Sequence, residues 1–229
     1  MKNVTRSLVL VAVLAFLVLV PSAFAGDFAL TSGGPTTYGE ETGPYAATWN
    51  GSPISVWCDD IRDSQNIGSH YTYDEIAGNA IIYGANTNVM WGNDANAHVE
   101  YGALAYLMVT INGNAALGQA LYSFAMWDIF EPGTVAGKIG AGTIPFSLAQ
   151  VTALVTFAEA NYTSADLAMI NLYTPTGCAG LGNNQGSNCF PNGGPGAQEF
   201  GQVPDGGVTV MLLGGALVGL ATLRRRFRA

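Results

Sequence analysis

The residues with the most chemical potential stand in one run, Cys58-Asp59-Asp60-Ile61-Arg62-Asp63. A cysteine supplies a nucleophile once it is ionised. Three carboxylates within five positions repel one another unless something offsets their charge. In the simpler reading, solvent and Arg62 do so. In the sharper one, Asp59, Asp60 and Asp63 share a calcium ion, which takes about six to eight oxygen ligands. Their spacing is not that of an EF-hand loop. Other groups suited to metal or acid–base work are sparse. The chain has two histidines, His70 and His98. Neither has a second His or Cys at ligand spacing, and neither pairs with a recognisable nucleophile. Solvated or hydrogen-bonded imidazoles are therefore expected. No catalytic residue is assigned, and the chain is read as a non-enzyme without a required cofactor.

The charge is distributed unevenly. Lys2, Arg6, Arg224, Arg225, Arg226 and Arg228 sit at the two extremes, and only Arg62 and Lys138 lie between them. All sixteen acidic residues fall between Asp27 and Asp205, so residues 26–205 carry −14 where the whole chain carries −8. A domain this acidic is repelled by nucleic acid and by anionic lipid. Divalent cations or basic surfaces fit it better, and a negative surface also keeps an exported protein soluble.

Both ends read as sorting segments. Residues 1–25 have the form of a signal peptide: Lys2 and Arg6, an apolar run from Leu8 to Val20, then Ala23-Phe24-Ala25. Signal peptidase is the expected partner, with Gly26 as the mature start. At the other end, Val203-Pro204-Asp205-Gly206-Gly207 precedes an apolar run to Leu223 and then Arg224-Arg225-Arg226. As a helix, Gly207 to Leu223 measures roughly 25 Å, short against a hydrocarbon core of about 30 Å. The arginines are expected to stay cytoplasmic. The domain plan is 1–25 signal peptide, 26–202 exported domain and 203–229 sorting segment with a transient transmembrane helix.

Within the exported domain, strands are expected at Phe28–Leu30, Pro44–Trp49, Ile54–Cys58 and Tyr71–Tyr73, with Asn50-Gly51 as a hairpin turn. Apolar residues at three- and four-residue steps predict helices over 98–111, 115–130 and 148–160. Ser147 is a good N-cap for the third. Glu131-Pro132-Gly133 is read as ending the second, followed by a loop. Strands are expected again over 167–173 and 198–202. In an oxidising compartment Cys178 and Cys189 are expected to pair, which leaves Cys58 unpaired. The fold class is α+β: short antiparallel strands from both ends of the domain, with about three helices inserted between them.

Two resemblances add to this reading. The Val-Pro-Asp-Gly-Gly motif, the Gly-rich span and the closing Arg cluster resemble the PEP-CTERM sorting signal in its Val-Pro-Asp variant. The commonest form of that signal carries Pro-Glu-Pro, where this chain has Pro204-Asp205-Gly206. The resemblance implies recognition by exosortase, a membrane-embedded cysteine transpeptidase-like enzyme. It also implies export, anchoring in the plasma membrane before processing, and a role at the cell surface or in an exopolysaccharide matrix or biofilm. It implies no catalytic activity for the domain upstream. Separately, Val56-Trp57-Cys58-Asp59-Asp60 and Ala125-Met126-Trp127 are similar to the thioester domains of Gram-positive surface adhesins. There, a Cys and a Gln two positions before the Ala form an internal thioester. Here that position is Ser123, and the nearest Gln is Gln119, one helical turn earlier. The similarity marks Cys58, Gln119 and Trp127 as a thioester-like constellation.

The function expected is that of an exported, exosortase-processed, non-catalytic surface or matrix protein, binding polysaccharide through exposed Tyr and Trp. The alternatives are an adhesin using Cys58 or a calcium-dependent acidic site, and an extracellular hydrolase.

Overall fold

The computed structural model describes residues 24–61, 65–81, 89–113, 118–141, 144–178 and 198–204. The strands are β1 (Phe24–Ser32), β2 (Thr36–Thr37), β3 (Glu40–Glu41), β4 (Tyr45–Trp49), β5 (Ser52–Cys58), β6 (Tyr71–Ala77), β7 (Asn171–Pro175) and β8 (Phe200–Gln202). Between β6 and β7 lie α1 (Ala97–Gly113), α2 (Gln119–Phe130), α3 (Pro132–Gly140), α4 (Leu148–Asn161) and α5 (Ser164–Leu167). The α+β class holds, with strands at both ends of the domain and helices inserted between them.

The strands close into an antiparallel barrel of order β1-β4-β5-β8-β7-β6, sealed by the β1–β6 pairing. Closure is narrowest at β8, which meets β5 only through Trp57–Gly201 and Cys58–Phe200. The local sequence explains the first hairpin. Asn50 and Gly51 take φ of 50° and 77°, the left-handed pair that a two-residue hairpin needs, and Trp49 faces Ser52 across it.

Alternation along the strands fills the barrel. Phe28, Leu30, Tyr45, Ala47, Val56 and Cys58 form its buried interior with Tyr73, Tyr173 and Phe200. Phe28 is the centre of an aromatic stack, with ring centroids 4.6 Å from Tyr73, 5.0 Å from Phe200 and 5.7 Å from Tyr173. The opposite faces of three strands supply Trp57, Ile76 and Leu172 to a second core, which is built mainly from the helices. One end of the barrel is tied by Glu75. Its carboxylate accepts from Trp49 Nε1 at 2.9 Å and from Asn171 Nδ2 at 2.6 Å.

The structure corrects two expectations about the helices. Pro132 does not open a loop. It stands in the first turn of α3, where a missing N–H costs nothing because helix-start donors have no partner in any case. The segment 167–173 is not one strand. Thr163 and Asp166 form a capping box that starts α5, and the strand begins only at Asn171. Five α-helices, not three, stand among the described residues. Ser147 caps α4 as expected, in a capping box with Gln150.

No described helix is long and apolar enough to cross a membrane. Residues 205–229 lie outside the described set, as do Ala23 and the residues before it. β1 begins at Phe24, so the expected cleavage after Ala25 falls inside it. Cleavage there removes the pairs Phe24–Glu75 and Ala25–Asp74 and keeps Gly26–Tyr73 through Phe28–Tyr71. Gly26 lies tight against the next strand, where a Cβ would meet the Trp49 ring at 2.5 Å.

One surface carboxyl makes stability depend on pH. Glu100 on α1 is half-buried, and burial first, then the charges of Asp94 and Glu159, push its pKa up to about 7. A raised folded pKa means that the native state holds the proton longer than the unfolded chain does. The resulting stabilisation is full below the unfolded value and is lost as pH rises through about 7. Glu100→Gln should therefore match the native chain in acid. It should become progressively more stable than the native chain between roughly pH 4.5 and 7.5, which paired melting curves across that range would check.

Candidate functional site

The site is built where β5 runs out. Val56 and Cys58 face the barrel interior, and Asp59 and Asp60 follow at 0% and 2% exposure. The chain turns tightly here. The Cys58 thiol donates to the Asp60 carbonyl at 2.8 Å, and the Asp60 N–H donates to Cys58 Sγ at 3.3 Å. Burial first, then the charges of Asp60 and Asp59, hold the thiol well above its ordinary pKa. The thiol packs with the barrel interior and is hydrogen-bonded within its own turn.

Behind this turn lies a buried polar network centred on Glu199, directly before β8. Its carboxylate accepts from the Tyr101 hydroxyl, from the Thr174 hydroxyl and from the Met90 N–H at 2.8 Å. Tyr101 in turn accepts from the Trp91 N–H at 3.1 Å. Glu199 thereby ties α1, β7 and the segment before α1 to the last strand. Burial raises the Glu199 pKa, while the donors around it oppose that rise. Asp59 lies against Glu199, and the two carboxyl groups are hydrogen-bonded to each other. Burial first and the Glu199 charge second push the Asp59 carboxyl well above its usual range. The two buried acids thus form a pair that burial pushes toward the protonated form, with the surrounding donors gathered on Glu199.

In front of the turn, a half-open cavity of about 300 Å³ lies at the barrel mouth. It is lined by the apolar Leu30, Tyr45, Ile61 and Trp127 and by the polar Glu40, Glu41, Asp60, Gln65 and Gln198. Tyr73 fixes two of these, with its hydroxyl 2.7 Å from Gln65 Oε1 and 2.8 Å from the Gln198 carbonyl. Gln198 Nε2 donates to the Asp60 carbonyl at 3.2 Å. The Tyr45 hydroxyl donates to the Glu41 carbonyl, and Lys138 pairs with Glu40.

The residues singled out from the sequence are distributed as follows. Cys58 packs with the barrel interior, whereas Trp127 belongs to the helical core. Gln119 is the first residue of α2, two turns before Trp127, a rise of about 12 Å. Ser123 is buried, and its hydroxyl accepts the Gly43 N–H at 3.1 Å. The thioester similarity therefore finds no support in the packing. Asp59 is sealed in the interior, Asp60 is buried but lines the cavity, and Asp63 lies outside the described residues. Among the described residues no group of three His, Cys, Asp or Glu is placed to hold a metal ion. His70 is exposed and bonds Asp27 at 2.7 Å, and His98 bonds the Tyr162 hydroxyl at 3.2 Å. Cys178 is buried just after β7, and Cys189 lies outside the described residues. Tryptophans do not form a binding surface: Trp57, Trp91 and Trp127 are buried and Trp49 is half-buried. Glu199 and Gln65 were missed. The only sequence signal for Glu199 was a carboxylate set beside Phe200 in an otherwise uncharged strand.

The last described residues lead from β8 into Val203 and Pro204. Residues 202–227 match the VPDSG-CTERM motif. This is a PEP-CTERM-like exosortase sorting signal variant. In this chain the VPDSG-CTERM motif reads Val203-Pro204-Asp205-Gly206-Gly207, with Gly206 where the motif's name has serine. The match begins at Gln202, the final residue of β8, so the barrel and the sorting signal adjoin without a linker. A sorting signal of this type goes with export, surface localisation and processing by exosortase. No curated protein and no solved structure matches the chain.

Proposed function

We propose that this chain is an exported, non-catalytic protein of the cell surface or extracellular matrix. In this reading exosortase removes its tail and the barrel domain is what remains. The observation that carries the proposal is the VPDSG-CTERM match over residues 202–227, set directly after the last barrel strand. The N-terminal segment completes the reading: signal peptidase cuts after Ala25, and the Arg224-Arg225-Arg226 cluster holds the tail's end in the cytoplasm until processing. A Cys178–Cys189 disulfide suits the oxidising exterior. Cys58, by contrast, is a buried free thiol. The protonated Cys58 and the sealed Asp59–Glu199 pair argue for structural and not catalytic roles. Exopolysaccharide is the proposed matrix partner.

Intact mass of the form released from cells that contain exosortase tests this reading. The expected product begins at Gly26 and ends at or near Val203–Gly207, and Pro204→Ala leaves the tail attached. A released form that keeps Arg224–Ala229 would overturn it.

A further inference from the structure

We propose that a proton shared between Asp59 and Glu199 locks the seam where the barrel closes, and that the seam loosens as pH rises. The seam is short. β8 meets β5 only through Trp57–Gly201 and Cys58–Phe200. One further backbone bond, from the Asp59 N–H to the Glu199 carbonyl at 3.4 Å, extends it. The same two residues meet again through their side chains, where the carboxyl groups are hydrogen-bonded to each other. An ionised carboxylate has only acceptor oxygens. A hydrogen bond between the two therefore requires a proton on one of them, so the closed seam holds that proton. It belongs to the pair and not to either residue alone.

The surroundings offer no substitute for it. Both acids are fully buried. Asp60 flanks Asp59 in the same turn, and Tyr101 of α1, Thr174 of β7 and the Met90 N–H donate to Glu199. Cys58 on β5, Tyr73 on β6 and Glu131 after α2 stand in the same field. These are acids, phenols, a thiol and neutral donors. Lys138 is the only lysine or arginine among the described residues, and it is paired with Glu40. His70 and His98 are engaged with Asp27 and Tyr162. Without the proton, two like charges would face each other in a dry interior, each disfavoured by burial and by the other. In an opened seam both carboxyls meet water and return to their ordinary range, near about 4. Burial holds them above that range while the seam is closed. Closing therefore takes up a proton at any pH between the two ranges, and closure weakens as pH rises through that window, by up to about tenfold per pH unit for one proton. β8 ends at Gln202, where the sorting-motif match begins, so the lock acts on the strand that leads into that signal.

Hydrogen-exchange protection factors of the β8 amides test this. They would be measured on the full chain from roughly pH 5 to 8, in a Glu100→Gln background that removes the other carboxyl titrating there. The β8 amides should lose protection by up to about tenfold per pH unit, while those of α4 change by less than about twofold. Asp59→Asn supplies an amide N–H to Glu199 in place of the shared proton. Its β8 protection should stay within about twofold per pH unit. Glu199→Gln puts the amide on the other partner and serves if Asp59→Asn does not fold. The proposal is overturned if β8 protection in the Glu100→Gln chain is flat with pH, if α4 loses as much as β8, or if a folded amide variant keeps the pH slope. Should neither amide variant fold, the first two readings decide alone.

Discussion

Replacing Glu199 with alanine is expected to cost the fold roughly 3–5 kcal/mol, the range for removing one partner of a buried charged network. The carboxylate accepts from Tyr101, Thr174 and the Met90 N–H, all in a dry interior. Alanine would leave three donors with nothing to bond. Each orphaned buried group costs about 1–3 kcal/mol, and partial relaxation or an entering water keeps the sum below simple addition. Glu199→Gln keeps the side chain's shape and one acceptor oxygen, so it should cost clearly less. Urea unfolding of both variants checks this. A midpoint for Glu199→Ala within error of the native chain would show that the network is not what joins β8 to the helices.

Phe28→Ala is the second large effect, at about 3–5 kcal/mol. Phe28 is fully buried and stacks on Tyr73, Tyr173 and Phe200, which come from three different strands. Those strands are β6, β7 and β8, and only β6 pairs directly with β1, the strand that carries Phe28. The ring therefore bridges across the barrel, and its loss leaves a cavity that surrounding aromatic side chains fill poorly. Phe28→Leu keeps most of the volume and should retain much of the stability. Near-ultraviolet circular dichroism should register the Ala variant's loosened aromatic packing alongside the shifted melting curve. Because Glu199 adjoins Phe200, the two losses are not expected to add in a double variant.

Local signals were legible in the sequence. Asn50-Gly51 announced the hairpin, Ser147 announced the start of α4, and the three- and four-residue apolar steps located α1, α2 and α4. Pro132 was read correctly as ending α2 at Phe130, but the loop expected after it is α3, because proline both stops a preceding helix and suits the first turn of a new one. Barrel closure was not legible. It depends on β1 meeting β6 and on a three-residue β8 slotting between β5 and β7, pairings far apart in the chain. The cavity was hidden for the same reason. Leu30, Glu41, Gln65, Trp127 and Gln198 come from five separate segments, and none is distinctive alone. Cys58 and its acidic neighbours drew attention by type, yet burial turned them into packing and network groups.

The direct junction between β8 and the sorting signal also sets a mechanical condition. In the proposed anchored precursor, a pull on the domain from the tail would enter through Gln202. Load arriving there acts first on a strand of three residues, held between β5 and β7 by Trp57–Gly201, Cys58–Phe200 and Leu172–Gly201. The Tyr173 hydroxyl, 2.6 Å from Gln202 Oε1, latches the strand at the point where tension arrives. Strain on the tether is thus borne by the element whose displacement would open the barrel, and severing the tail removes that load from the fold.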